Sequence, residues 1–127
     1  MFMCAASAED VALVKPAEVA EYTGNGFKVL DVRTTGEFAQ GRIKGAVLVP
    51  LMNRTEDGQM VPNGAFEQQV QEKVSTDHGW LVVCGSGMRS ARACKILTQK
   101  LGFDRESLRD VAGGMQAYAS AQLPVEQ

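Results

Sequence analysis

Short apolar runs alternate with stretches of helical spacing along this chain. Trp80-Leu81-Val82-Val83 is apolar throughout, as expected of a strand covered on both faces. Phe27 to Val32, Ala46 to Val49 and Leu108 to Val111 read as three further strands, the second ended by Pro50. Pro16 to Tyr22 reads as a short helix, with Pro in its first turn and Gly24-Asn25-Gly26 at its end. Thr35 is placed to cap a short helical turn through Glu37, Phe38 and Ala39, stopped by Gly41. Phe66, Val70 and Val74 share one face of a helix over 66–74. Met88 to Leu101 is the best helix, with Ala91, Cys94, Thr98 and Leu101 on one stripe, Ile96 and Leu97 beside it, and Gly102 as its stop. Gly113-Gly114 leads into a last helix, Met115 to Ala121. Asn53 to Gly64, polar and holding Gly58 and Pro62, reads as a loop. The alternation predicts an α/β fold: a mainly parallel central sheet of about five strands with helices on both faces. In such sheets ligands gather beyond the carboxyl ends of the strands.

Composition narrows the function. The 127 residues suit one domain over 1–127, with 1–10 as a loosely ordered terminus. At 45% apolar and 22% charged, the chain has the means to bury a core. A formal net charge of −2 offers no broad surface for nucleic acid or an anionic membrane, and no apolar run approaches the roughly 18 residues of a membrane span. Cys4, Cys84 and Cys94 with one histidine, His78, make neither a disulfide framework nor a zinc spacing, so no metal is expected. No dinucleotide or phosphate-loop signature implies a cofactor. Met1 to Ala8 lacks a basic start and runs into Glu9-Asp10, unlike an intact secretory signal. Free thiols fit a soluble protein of a reducing compartment, cytoplasmic or, if a leader has been removed, plastid or mitochondrial.

The chemistry concentrates in Cys84-Gly85-Ser86-Gly87-Met88-Arg89-Ser90, directly after the apolar strand and directly before the longest helix. Gly85 and Gly87 allow the backbone to curl so that successive N–H groups point inward as an anion nest, and the helix adds its positive end. Such a setting favours a nucleophilic thiolate and an anion bound beside it. The plainer alternative is a structural cysteine at a tight strand–helix turn. His78 stands at the start of the strand, opposite the end that bears Cys84, so a Cys–His pair is not expected. Cys94 reads as a core residue and Cys4 as an incidental thiol.

These residues resemble the rhodanese family of sulfurtransferases, from about Val14 to Pro124. Asp31-Val32-Arg33, Glu37-Phe38 and Gly41-Arg42-Ile43-Lys44-Gly45-Ala46 are similar to its first signature. Cys84 to Ser90 is similar to its active loop, and Gly113-Gly114-Met115-Gln116-Ala117-Tyr118 to its closing motif. Pro50 to Arg54 resembles the small single-domain members of plants. Two departures stand out: Arg42 where the family has His, and Tyr118 where Trp is common.

The resemblance implies a rhodanese-like fold and thiosulfate sulfurtransferase activity. Cys84 would take a sulfane sulfur from a small anionic donor, hold it as a persulfide steadied by the amides of Gly85 to Ser90, and pass it to cyanide or a thiol. A thiol protein such as thioredoxin is a conceivable acceptor. Arg89 has two candidate roles: binding the sulfonate of thiosulfate, or pairing with Asp31 or Glu37 to shape the loop. Ser90 bonds within the loop or near the sulfur. Asp31 and Arg42 are possible pocket residues, Arg33 and Glu37 read as scaffold, and Gly113 and Gly114 as relief for a tight turn. Three alternatives remain: mercaptopyruvate as donor; a Cys-based phosphatase or arsenate reductase, for which the four residues between Cys84 and Arg89 make a small loop; and a non-catalytic binding module.

Overall fold

The computed structural model describes residues 10–127. Cys4, Met1 to Ala8 and all but the last residue of the expected loose terminus 1–10 lie outside the described residues. Five parallel strands form one sheet in the order β1-β7-β6-β2-β3. They are β1 (Ala12–Val14), β2 (Lys28–Asp31), β3 (Val47–Leu48), β6 (Trp80–Val83) and β7 (Leu108–Val111). The helices are α1 (Val19–Gly24), α2 (Thr35–Gln40), α3 (Phe66–Lys73), α4 (Met88–Gln99) and α5 (Gly114–Ser120).

Period-2 alternation sorts the core into two layers. Trp80 and Val82 of β6 join Leu30 and Leu108 under α3 and α4, which contribute Phe66, Val70, Ala93, Cys94 and Leu97. Leu81 and Val83 point the other way, joining Val29 and Val111 beneath Val19 of α1 and Met115 and Tyr118 of α5. The central strand is therefore buried on both faces, as its apolar run predicts. The Trp80 indole N–H donates to the Ser75 carbonyl at 2.7 Å, so its burial leaves no unmet donor.

Several local expectations are corrected. The segment read as a loop, 53–64, carries an antiparallel hairpin of β4 (Met52–Arg54) and β5 (Met60–Pro62), with Pro62 at a strand end where no further ladder bond is needed. Thr55, Asp57 and Gly58 close its turn: the Thr55 hydroxyl accepts from the Gln59 amide, and Gly58 takes φ +88°. The edge strand β1 is three residues long, too short for its pattern to be distinctive. Thr34, not Thr35, caps α2, because Glu37 lies three residues after Thr34 and the two complete a capping box. The buried stripe of α4 is Ser90, Ala93, Cys94 and Leu97, with Ala91 in solvent. A small residue fits either face, and Ser90 turns inward because polar groups await it there.

Candidate active site

Strand β6 and helix α4 fix the two ends of the 84–90 loop. Cys84 directly follows β6, and α4 begins at Met88 after Gly87, whose φ of +110° a side chain would strain. Fully buried Leu97 anchors α4. Its truncation to Ala would cost about 2–5 kcal/mol, more than a partly exposed ion pair supplies. Apolar packing thus places the helix, and polar contacts set the shape of the loop.

The third support comes from α5. The amides of Met115 and Gln116 donate to the carbonyls of Cys84 and Gly85 at 2.7 and 2.9 Å. A Cβ on Gly114 would fall on those same two carbonyl groups, so only glycine permits α5 to approach this closely. The Gly113-Gly114 pair therefore relieves a tight turn and also brings two backbone donors against the loop. With carbonyls held toward α5, the neighbouring loop amides are turned the other way. The Gly87 N–H donates to Cys84 Sγ at 3.0 Å. The Ser90 hydroxyl lies 3.4 Å from the same sulfur and also donates to the Gly87 carbonyl at 3.2 Å.

The sulfur is more enclosed than the sequence reading expects. Cys84 is 1% exposed, whereas Ser86 and Met88 above it face solvent, Met88 at 80%. Four residues separate Cys84 from Arg89, and this short loop covers the thiol.

Arg89 takes the scaffold position of its two alternatives, with Glu37 and not Asp31 as partner. Its Nη1 and Nη2 donate to the two oxygens of Glu37 at 2.7 and 3.0 Å, a bidentate pair. The bond to Arg89 pulls the Glu37 carboxyl down from 4.5 to about 2, against burial, with help from Thr34. Arg89 is raised in turn, first by Glu37, and Cys84 lies within reach of its charge.

Asp31 lies in register with Val83, next to the loop, but neither it nor Arg42 is seen to hydrogen-bond to the loop. The Asp31 carboxylate is fully buried and accepts from the Arg33 backbone N–H at 3.0 Å and from its Nε and Nη2 at 2.8–3.1 Å. Arg42 stacks on the Phe38 ring, 4.8 Å from its centroid, and donates to the Phe38 carbonyl. A groove of about 400 Å³ opens beside the loop between Arg33, Glu37, Gly41, Gly85, Met115 and Val125. His78 sits in the turn before β6. Tyr118 is buried and donates to the Pro124 carbonyl at 2.9 Å, supporting α5 from the far side. Among the described residues, no group of three His, Cys, Asp or Glu is placed to hold a metal, and no helix is long and apolar enough to cross a membrane.

One residue escapes the sequence reading. Asp110 of β7 is 6% exposed, and its Oδ1 has no hydrogen-bond partner among the described residues. Burial raises its carboxyl from 3.8 to about 6, and the Ser90 hydroxyl opposes that rise. Cys94, buried on α4, is pushed well up, first by burial and then by the charges of Asp110 and Cys84, which makes it a core thiol and not a second nucleophile. The signal for Asp110 is an acid two residues from Leu108, on the same face of a strand that must be covered on both sides.

A family model for the rhodanese-like domain matches residues 15–121. A chloroplastic protein of Arabidopsis thaliana named thiosulfate sulfurtransferase 16 is 40% identical over 101 residues, covering 80% of this chain and 81% of its own. The mitochondrial protein HIGH ARSENIC CONTENT 1 of the same plant is 33% identical over 113 residues and covers 89% of this chain. The chain spans 64% of that relative's length. The crystal structure of a rhodanese-related protein from Thermoplasma volcanium superposes with a TM-score of 0.67 at 27% identity, covering 91% of this chain and 97% of the other.

Proposed function

The chain belongs to the rhodanese-like domain family, and from that premise we propose that it is a sulfurtransferase that carries a sulfane sulfur on Cys84. The observation that carries the reading is the Cys84 sulfur at the end of the central strand, with the Gly87 amide 3.0 Å away and the Ser90 hydroxyl at 3.4 Å. Both can donate to a charged sulfur, and Arg89 adds a nearby positive charge. Relatives that bear sulfurtransferase names support the same reaction class.

The Cys84 thiolate attacks the outer sulfur of thiosulfate. A bond forms between the two sulfurs, the bond to the sulfonate sulfur breaks, and sulfite leaves with the electron pair. Cys84 then holds a persulfide anion. Cyanide or a thiolate attacks its terminal sulfur, leaves as thiocyanate or a new persulfide, and restores the thiolate. Two half-reactions on one covalent intermediate give ping-pong kinetics. Arg89 acts by holding the loop, since Glu37 occupies its guanidinium. A thiol protein is an acceptor in keeping with this chemistry, and a plastid or mitochondrial location is in keeping with the plant relatives.

Intact mass spectrometry after exposure to thiosulfate tests the reading. Wild type gains one sulfur atom, the gain is reversed by cyanide, and Cys84→Ala gains none. No adduct from thiosulfate or mercaptopyruvate would overturn it. Arsenate enters the same assay as a rival substrate, because one relative is named for arsenic content.

A further inference from the structure

A second recess lies on the flank of α4. Its volume is about 240 Å³, and none of its lining residues belongs to the 84–90 loop. Leu51, Met52, Phe66 and Ile96 supply its apolar lining. Leu51 and Phe66 are buried members of the core layer under α3 and α4, and half-buried Met52 and Ile96 pack against that layer. The recess therefore opens onto the core between the β4–β5 hairpin, α3 and α4. Most of its polar rim is committed. The Asn63 side chain donates to the Pro50 carbonyl at 2.8 Å and to Gln69 Oε1 at 3.0 Å, and its oxygen accepts from the Ala65 amide at 3.0 Å. Glu67 Oε2 lies 3.9 Å from Lys100 Nζ. Arg92 differs. It is exposed at the same rim, and its guanidinium has no hydrogen bond or ion pair among the described residues.

We propose that this recess binds a small organic carboxylate, with its apolar body against Leu51, Phe66 and Ile96 and its carboxylate on Arg92. Charge decides the class of ligand. Among the described residues, the charged group at the rim without a partner is a guanidinium, and its planar fork matches a carboxylate. An ammonium ligand would meet that cation, and the one acid at the rim already faces Lys100. A neutral apolar ligand would leave the fork unused. Size sets the scale: at about 240 Å³ the recess is smaller than the roughly 300–1,000 Å³ of pockets for drug-sized ligands, so the body is a single ring or a short alkyl chain. Such a body would cover Met52 and Ile96, whose burial folding alone leaves incomplete. The unbranched Met52 side chain can adjust to its outline.

Backbone amide resonances of the whole protein, followed during titration with phenylacetate, neutral phenylacetamide and cationic phenethylamine, test the proposal. Phenylacetate is expected to shift the amides of Met52, Asn63, Glu67 and Ile96 and to saturate in the millimolar range or below. Phenylacetamide should bind wild type about tenfold more weakly, and Arg92→Gln should weaken phenylacetate by the same factor, as the loss of one charge-assisted pair. Glu67→Gln removes a negative charge from the rim and should tighten phenylacetate binding. Both substituted side chains are exposed, and the comparison of the three probes needs no variant. Four results would each overturn the proposal: no saturable shift, shifts centred on the 84–90 loop, equal binding of phenylacetate and phenylacetamide, or tighter binding of phenethylamine. Unchanged affinity in Arg92→Gln would overturn it as well. None of these readings depends on sulfur uptake by Cys84, so the recess stands or falls apart from the reaction assigned above.

Discussion

Two buried aspartates flank the central strand, and they are built in opposite ways. Asp31, at the end of β2, accepts from the backbone and guanidinium of Arg33 and is fully enclosed. Asp110, near the end of β7, has an oxygen with no hydrogen-bond partner and no ion pair among the described residues. The first is a closed ion pair that fixes where the chain leaves β2. The second is a buried acid whose shell is incomplete, on the strand next to the one that leads into Cys84. The contrast teaches that equal burial can carry opposite electrostatic consequences, and that the completeness of the hydrogen-bonding shell decides which.

The comparison can be broken hardest at Asp31. Asp31→Ala leaves the Arg33 guanidinium buried without its counter-charge, and urea unfolding at pH 7 should show a loss of about 3–5 kcal/mol. A loss within about 1 kcal/mol would remove the distinction. Gly114→Ala, which drives a methyl group into the Cys84 and Gly85 carbonyls at a φ of +62°, should cost roughly 2–3 kcal/mol in urea unfolding and change the rate of Cys84 alkylation.

Asp110 should respond with the opposite sign. Its folded pKa of about 6 lies above the unfolded 3.8, so its favourable contribution is complete below pH 3.8 and is lost as pH rises through 6. Asp110→Asn should therefore be the more stable protein at pH 7, by on the order of 1–3 kcal/mol. That advantage should shrink toward zero as urea titrations move down to pH 4; a gap that does not vary with pH would contradict the assignment. The smallest effect belongs to Glu37. Its carboxyl is held at about 2 against 4.5, so its contribution is present above pH 4.5 and fades toward pH 2. The pair is partly in solvent, so screening limits it to about 1 kcal/mol, and Glu37→Gln should lose that much at pH 7 and little at pH 2.5.

Much of this architecture is written in local pattern. The apolar run 80–83, the glycines of the 84–90 loop and the helix that follows need no distant partner to be recognised. The hairpin 52–62 and β1 carry runs of only three residues each, below the length at which alternation speaks. Thr34 is legible from its spacing to Glu37 once both threonines are weighed as caps. The inward turn of Ser90 and the loneliness of Asp110 are different in kind. They depend on how α4 rotates over β7, a tertiary fact that neither segment encodes by itself. The same holds for the tether of the loop, since the partner of Arg89 is Glu37, fifty-two residues away.

The two amides that α5 lends to Cys84 and Gly85 also set an order of events during synthesis. A ribosome delivers Cys84 about thirty residues before Met115 and Gln116, so the thiol emerges first without the brace that shapes its loop. Until that late segment docks, the nascent chain has a cysteine but no finished cradle. A finished cradle therefore requires both segments, and a chain end that reaches past Cys84 but not to Gln116 cannot supply it.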